Sequence, residues 1–298
     1  MITKGFFQQY SAGTQALLLL FLFCGGAVIA TLITMLISLF TGISGMDMSM
    51  TRVIQTISSL GLFLLPAIGM ALFCDASPRH YLFLHKVNDE RVWLLVLASM
   101  FLIAAPINFI AMLNQQMELP TFMAPVEQWM RSQEDLAQQL TQNMIGDGTP
   151  QLLAINLIVM ALCPAITEEF FFRGALQRLI GKWNSNSHVV IWSAAILFSA
   201  FHLQFYGFIP RMLLGAYLGF LLLWTRSIWI PVFAHFINNA TAVIGMSDKN
   251  LRESALVTGE IPTDQIFQYG IAAAISLILF IFLNQYLKKI LKGQSEKS

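Results

Sequence analysis

The chain has 298 residues, of which 56% are hydrophobic and only 11% are charged. A soluble domain carries about 25% charged residues, so this chain cannot cover itself with a polar surface. Its 17 Lys and Arg and 16 Asp and Glu give a formal net charge of +1, which offers no indication of a nucleic-acid partner. The composition predicts that the main partner of the protein is the lipid bilayer.

Eight apolar runs along the chain approach the length of about 20 residues that a membrane-spanning helix needs. They cover roughly residues 16–40, 54–73, 92–113, 152–177, 188–204, 209–225, 227–246 and 267–287. We therefore expect an all-α fold, a polytopic membrane helix bundle of about eight transmembrane helices that forms a single membrane domain over residues 1–298. Interruptions around Pro66, Pro164 and Gly207 indicate that the middle of the bundle is irregular and faces protein or water.

The distribution of basic residues predicts the orientation in the membrane. Eleven Lys and Arg residues fall on the side of the N terminus and five on the other side. Because cytoplasmic loops are enriched in Lys and Arg, both termini are expected in the cytoplasm, with the protein integral to the cell inner membrane. The first run is longer than a signal-peptide core of about 7–15 residues, so we interpret it as a retained helix.

Cysteines and a short serine motif add little. Cys24, Cys74 and Cys163 lie in or beside apolar runs, and their odd number predicts no disulfide framework. The segment from Gly42 to Gly45 is similar to the G-x-S-G of rhomboid serine proteases, but no histidine lies near it in the sequence. We do not favour a serine protease on this basis.

An amphipathic segment separates the third and fourth runs. Between Pro120 and Pro150, apolar residues recur at intervals of three and four, namely Val126, Trp129, Met130, Leu136, Leu140 and Met144. This spacing predicts a helix. We favour a helix resting at the membrane interface, and the alternative is a gate or cap on the non-cytoplasmic side.

Polar residues inside the apolar runs cluster in the second half of the chain: Glu168, Glu169, Arg173, His202, His235 and Asn239. A charged group at a helix centre in the membrane costs at least about 3 kcal/mol, so such a cluster indicates a functional site. Glu168 and Glu169 are consecutive and point about 100° apart on a helix, so they cannot share one role. Arg173 follows Glu169 by four residues and can pair with it, which leaves Glu168 unpaired and suited to accept a proton from water.

Spacing along the chain places these residues at similar depth. Glu168 and His202 each stand seventeen residues from Ser185 in a polar turn, so they are level in an antiparallel hairpin. At 1.5 Å per residue, Glu168 and His235 both lie about 14–15 Å below the cytoplasmic boundary. His235 and Asn239 are four residues apart and share one helix face, where both can donate hydrogen bonds.

Three motifs carry a family resemblance. Residues 168–174 read E-E-x-x-x-R-G, residues 198–202 read F-x-x-x-H, and residues 235–239 read H-x-x-x-N. In this order and spacing they resemble the CAAX-protease and bacteriocin-processing family of membrane endopeptidases, which includes the eukaryotic type-II CAAX prenyl endopeptidase. The resemblance covers about residues 150–245, which would be the catalytic core.

The resemblance implies a role for each residue. Glu168 would be the general base on the attacking water, helped by His202, while His235 and Asn239 would stabilise the oxyanion and Phe198 would pack beside the cavity. This is peptide hydrolysis without a covalent intermediate.

The resemblance also bears on the remaining pair and on metals. Glu169 and Arg173 would hold the geometry of the site. Members of this family have often been called metalloproteases, and Glu168 with the two histidines could bind a divalent metal such as zinc. No H-E-x-x-H stands in the sequence, so we expect no cofactor.

The expected function is therefore that of a peptidase, an intramembrane endopeptidase that cuts membrane-associated peptides or protein tails reached through an opening toward the cytoplasm. Two alternatives come from other classes. One is a non-catalytic membrane peptide-binding or protection factor on the same fold. The other is a proton-coupled transporter, which the crowding of polar residues into one half of the chain disfavours.

Overall fold

The computed structural model of the protein describes residues 4–43, 47–252, 254 and 263–295, and within them all regular structure is helical. The predicted all-α bundle is confirmed. Eight long helices follow the eight apolar runs, and one further helix, α4, lies between the third and the fourth. They are α1 (Ala12–Thr41), α2 (Met48–Cys74), α3 (Glu90–Gln115), α4 (Ala124–Ile145), α5 (Pro150–Ile180), α6 (Ser187–Ala200), α7 (Phe208–Thr225), α8 (Trp229–Ser247) and α9 (Ile266–Ser295).

Shorter elements complete the described chain. A four-residue helix spans Pro78–Tyr81, and single 3-10 turns span Thr121–Met123 and Thr263–Gln265. Ser44 and Gly45 of the G-x-S-G segment lie outside the described residues.

Six helices in the described part of the chain are long and apolar enough to cross a membrane, namely α1, α2, α3, α5, α7 and α9. The other two depart from this standard for different reasons. Helix α6 is apolar but has 14 residues, which span about 21 Å, against a hydrocarbon core of about 30 Å. Helix α8 has 19 residues but is less apolar, since it carries His235, Asn238 and Asn239. The two atypical helices are those that lead to or contain the histidines of the predicted site.

Two helices contain wider, π-helical segments: Leu60–Leu64 in α2, and Leu157–Leu162 and Phe170–Leu176 in α5. The first two end just before Pro66 and Pro164. Proline lacks an N–H and collides with the carbonyl four residues earlier, so a widened turn accommodates it. The predicted irregularity at both prolines is confirmed, and Gly207 caps the start of α7. The third segment contains no proline and begins directly after Glu169.

Helices α1 and α2 cross with their backbones in contact. A Cβ atom added to Gly26 would meet the main chain of Gly61, and one added to Gly61 would meet the main chain of Gly26. Small residues at such a crossing allow close packing between membrane helices. The pair supports one side of an aromatic cluster in which Phe63 contacts both Phe171 and Phe172 of α5.

Helix α4 lies on one face of the bundle. The loops 75–89, 181–186 and 226–228 belong to the opposite face, which we call the terminal face because the start of α1 and the last turns of α9 lie beside these loops. The C-terminal end of α4 is held by Arg52, whose Nη2 donates to the Met144 carbonyl at 2.5 Å, and by Asn156, whose Nδ2 donates to the same carbonyl at 2.9 Å. A cation at a helix C-terminus is favourable.

The helix predicted between residues 120 and 150 is therefore present, and its two sides differ. Val126, Trp129, Leu136 and Leu140 are exposed, as an interfacial helix requires. The other side carries Glu134, Gln138 and Thr141, which line a cavity between α4 and the bundle. Near its start, Arg131 stacks on Tyr206 with the guanidinium carbon 4.6 Å from the ring centre.

Candidate active site

A buried carboxylate, Glu169, joins two helices at the centre of the bundle. Its Oε1 atom lies 2.8 Å from Arg173 Nη1 on the same helix and 2.8 Å from His235 Nδ1 on α8. Glu169 is fully buried, and Arg173 and His235 are 1% and 4% exposed. The ion pair expected from the four-residue spacing is present, and the bond to His235 extends it to a second helix.

Both terminal nitrogens of the Arg173 guanidinium donate hydrogen bonds within the bundle. Its Nη2 donates to the Gly215 carbonyl of α7 at 2.9 Å, and its guanidinium carbon lies 4.5 Å from the centre of the Phe198 ring. A Cβ atom on Gly215 would lie 3.0 Å from that ring and 3.3 Å from Arg173 Nη2. Glycine at this position lets the α7 backbone approach closely enough to accept the bond.

Glu168, the neighbouring residue, is held differently. Its Oε2 atom is buried and has no hydrogen-bond partner in the described part of the chain. The charges of His235, Glu169, Arg173 and Arg211 all act on it. Buried polar atoms in native proteins nearly always have partners, and an exception calls for a water or ligand at that place. Glu168 therefore keeps one acceptor available for a further hydrogen bond.

His202 lies in the turn that follows α6. Its Nδ1 lies 2.9 Å from the Phe198 carbonyl, which accepts the Nδ1 proton and leaves Nε2 as the acceptor of a neutral ring. The Phe198 ring packs edge-on against both imidazoles, with its centroid 5.1 Å from that of His202 and 5.8 Å from that of His235. The Phe198 ring therefore packs between the two histidines.

The bond from His235 Nδ1 to Glu169 restricts what His235 can do. A neutral His235 that donates through Nδ1 presents a lone pair at Nε2, and it becomes a donor there only when the ring is protonated. The oxyanion role expected from the family resemblance requires the protonated form. The bond to Glu169 Oε1 fixes the orientation of the imidazole.

Asn239 lies one turn beyond His235 on α8 but does not join the buried network. Its Oδ1 accepts a hydrogen bond from Asn238 Nδ2 at 3.1 Å, and its own amide nitrogen has no partner among the described residues. The side chain is partly exposed. Of the six predicted residues, three are in direct contact, Glu168 and His202 lie within their electrostatic reach, and Asn239 shares only the helix of His235.

The structure adds residues that the sequence did not single out. Arg211, in the first turn of α7, acts electrostatically on both Glu168 and His202. In the sequence it is one of the five basic residues on the side opposite to the N terminus. Its place inside a predicted apolar run was the available indication. Gly215 begins a G-x-x-x-G that ends at Gly219, a pattern typical of close helix contacts in membranes.

No group of three or more His, Cys, Asp or Glu side chains in the described residues is arranged to hold a metal ion. The zinc alternative drawn from Glu168, His202 and His235 therefore has no ligand set here, and no chemical step is assigned to a metal. The three cysteines are all free thiols.

Two polar cavities approach this region from opposite faces. One of about 740 Å³ lies under α4, and its walls include Glu134, Gln204 and Arg211. The other, of about 240 Å³, opens on the terminal face and reaches Arg173 and Gln177. The larger cavity therefore lies on the face opposite to the terminal face.

The fold and site define a polytopic helical membrane protein with a buried centre of carboxylates, imidazoles and a guanidinium. Residues 150–241, which contain all six predicted site residues, match the family of type II CAAX prenyl endopeptidases described as Rce1-like. The resemblance found from the motifs is confirmed over this segment.

One curated protein is similar to part of the chain. Over 89 residues the chain is 32% identical to an uncharacterized protein, YpbD, of Bacillus subtilis (strain 168). The aligned part is 28% of this chain and 42% of the relative, so the chain spans less than half the length of that protein. No solved structure matches the chain.

Proposed function

We propose that the protein is an intramembrane endopeptidase that hydrolyses peptide bonds of membrane-associated peptides or protein tails. The observation that carries this proposal is the free, buried Oε2 of Glu168 beside the bonded trio of Glu169, Arg173 and His235. The match of residues 150–241 to the type II CAAX prenyl endopeptidases supports peptide hydrolysis as the reaction.

In the proposed reaction, Glu168 takes a proton from a water molecule as the water oxygen attacks the carbonyl carbon of the substrate. The carbonyl electron pair moves to its oxygen and forms a tetrahedral oxyanion. Glu168, now a carboxylic acid, returns the proton to the amide nitrogen as the C–N bond breaks, and a carboxylic acid and an amine leave. His202 Nε2 accepts a second hydrogen bond from the water and orients it.

Two hydrogen-bond donors on α8 stabilise the oxyanion. Asn239 contributes its amide N–H, and protonated His235 contributes its Nε2–H. Glu169 keeps His235 in the orientation and protonation state that this role needs, and Arg173 balances the charge of Glu169. The Oε2 atoms of both glutamates are buried without a partner in the described part of the chain, but Oε1 of Glu169 also accepts two hydrogen bonds that fix its carboxylate, so we assign Glu169 as a positioning residue rather than the base.

The reaction as proposed needs no metal. We also propose that the protein resides in the cell inner membrane with both termini in the cytoplasm, as the excess of basic residues on the terminal face favours.

The test is peptide-substrate profiling of the purified full-length protein in detergent, beside Glu168→Gln and the control Arg79→Gln. Arg79 is exposed on the terminal face, so its substitution also changes one charge but leaves the site intact. We expect cleavage by the wild type and by Arg79→Gln and loss of at least about a hundredfold in Glu168→Gln. Cleavage that survives Glu168→Gln refutes the mechanism, and absence of cleavage by the wild type favours the non-catalytic binding factor.

A further inference from the structure

Arg211 makes no direct ion pair with a carboxylate in the described part of the chain. It lies in the first turn of α7, and among the described residues its guanidinium donates only to Gln204, from Nη2 to the side-chain Oε1 at 2.7 Å and from Nη1 to the main-chain carbonyl at 3.5 Å. Within the described residues no acidic oxygen lies within 4.0 Å of it. A partly buried guanidinium in a membrane protein normally pairs with an acid, so a neutral amide is an incomplete partner.

The nearest acid of the cavity is separated from Arg211 by the same glutamine. Gln204 donates from Nε2 to Glu134 Oε1 at 3.3 Å, while its Oε1 accepts from Arg211. The other oxygen of Glu134, Oε2, is buried and has no partner in the described part of the chain. Gln204 therefore bridges Glu134 and Arg211, which form no direct ion pair, and both residues line the cavity under α4.

The cavity itself suits a peptide. Its volume of about 740 Å³ is within the range of ligand sites in proteins. Besides the charged groups, its walls carry amides that can pair with a peptide main chain, from Gln115, Gln138, Gln142 and Gln204. Gln204, which accepts a hydrogen bond from Arg211, follows His202 by two residues, so the cavity adjoins the turn that carries this histidine.

We propose that Arg211 is the binding site for a carboxylate of the substrate, either a free C-terminus or an acidic side chain, in the cavity under α4. The planar guanidinium pairs with a carboxylate through two parallel hydrogen bonds, which Gln204 cannot offer. This inference rests on the proposed function for its substrate class, and it makes Arg211 a residue that selects the substrate and sets which bond lies at Glu168.

The experiment measures binding without hydrolysis, in the full-length Glu168→Gln variant in detergent. Three N-terminally dansylated apolar pentapeptides are compared by fluorescence anisotropy: one with a free C-terminus, its C-terminal amide, and the amide with one internal glutamate. We expect the Kd of the amide to be about 10- to 100-fold higher than that of at least one peptide with a carboxylate. The peptide that binds tightly identifies the source of the carboxylate.

Variants then assign the preference to Arg211. Arg211→Gln should abolish the difference between the peptides, and Arg211→Lys should keep part of it. Arg252→Gln is the matched control, because Arg252 lines the same cavity but is exposed to solvent, and it should change the difference by at most a few-fold. Gln204→Ala should keep the preference, since the charge remains.

Two outcomes overturn the inference. Equal binding of the three peptides, or binding of none, shows that no carboxylate site exists. Loss of the preference in Gln204→Ala as well as in Arg211→Gln shows that Arg211 only holds the loop that carries His202. Failure of the proposed function is separate, because it would appear as absence of cleavage by the wild type while the binding comparison stays interpretable.

Discussion

His235 Nδ1 lies 2.8 Å from Glu169 Oε1, in a contact between residues 66 positions apart that fixes the imidazole on α8 to the carboxylate on α5. The arrangement has the logic of the carboxylate that orients the histidine in a catalytic triad, where the acid sets the tautomer and stabilises the imidazolium. In this protein the same carboxylate also holds Arg173. One acid thus links the proposed oxyanion donor to the structural cation.

The first prediction concerns this acid. Glu169→Gln removes the charge that stabilises protonated His235 and permits the wrong tautomer, so kcat should fall by about 10³ to 10⁴, as in triads that lose their carboxylate. The measurement is steady-state cleavage of the best peptide from profiling. Because KM reports mainly on contacts made before the transition state, it should change much less than kcat. An unchanged kcat would show that His235 acts without Glu169.

Whether a feature of the fold or site can be predicted from the sequence depends on how far apart in the chain the interacting residues lie. The eight long helices follow from hydropathy, and the bond of Glu169 to Arg173 follows from helical periodicity, since both are local properties of the chain. The bond of Glu169 to His235 depends on how α5 and α8 rotate against each other, and no local pattern fixes that rotation. For Arg173, the acceptor is the main-chain carbonyl of Gly215, which no side-chain motif can reveal.

The spacing of residues along the sequence also does not predict on which face of the bundle each cavity opens. Equal residue offsets placed Glu168 and His202 at similar depth, but depth says nothing about which face admits a substrate. The cavity under α4 depends on the way Arg52 and Asn156 hold the end of that helix, and these residues are 104 positions apart. Such long-range clamps emerge only when the helices are assembled.

The second prediction is that Arg173→Met destabilises the protein strongly. It leaves Glu169 fully buried without its cation, and removal of one partner of a buried ion pair costs about 3–5 kcal/mol. The measurement is the thermal transition in detergent, followed by size-exclusion chromatography. Arg173→Lys is the paired variant: it keeps the charge but not the planar fork that also reaches Gly215, so its loss should be smaller. Equal transitions for wild type and Arg173→Met would contradict the structural role.

The third prediction addresses metal dependence. Since the proposed reaction uses only protein side chains and water, prolonged treatment with EDTA or with 1,10-phenanthroline should leave peptide cleavage by the wild type unchanged. The control is a zinc endopeptidase treated in the same detergent buffer, which should lose its activity. Loss of cleavage on chelation, restored by added zinc, would overturn the metal-free mechanism and favour ligation by Glu168 and the histidines.

The fourth prediction concerns the glycine beneath Arg173. Gly215→Ala places a methyl group 3.0 Å from the Phe198 ring of α6 and 3.3 Å from Arg173 Nη2 of α5, tighter than ordinary packing, so these side chains or α7 must shift by a few tenths of an ångström. Overpacking of this kind costs about 1–3 kcal/mol. Gly25→Ala is the matched control, because nothing lies within 4 Å of its added Cβ and alanine favours a helix. The thermal transition should fall only for Gly215→Ala, together with cleavage activity, since Phe198 separates both histidines. A transition unchanged by Gly215→Ala would mean that α7 packs less closely against Phe198 and Arg173 than described.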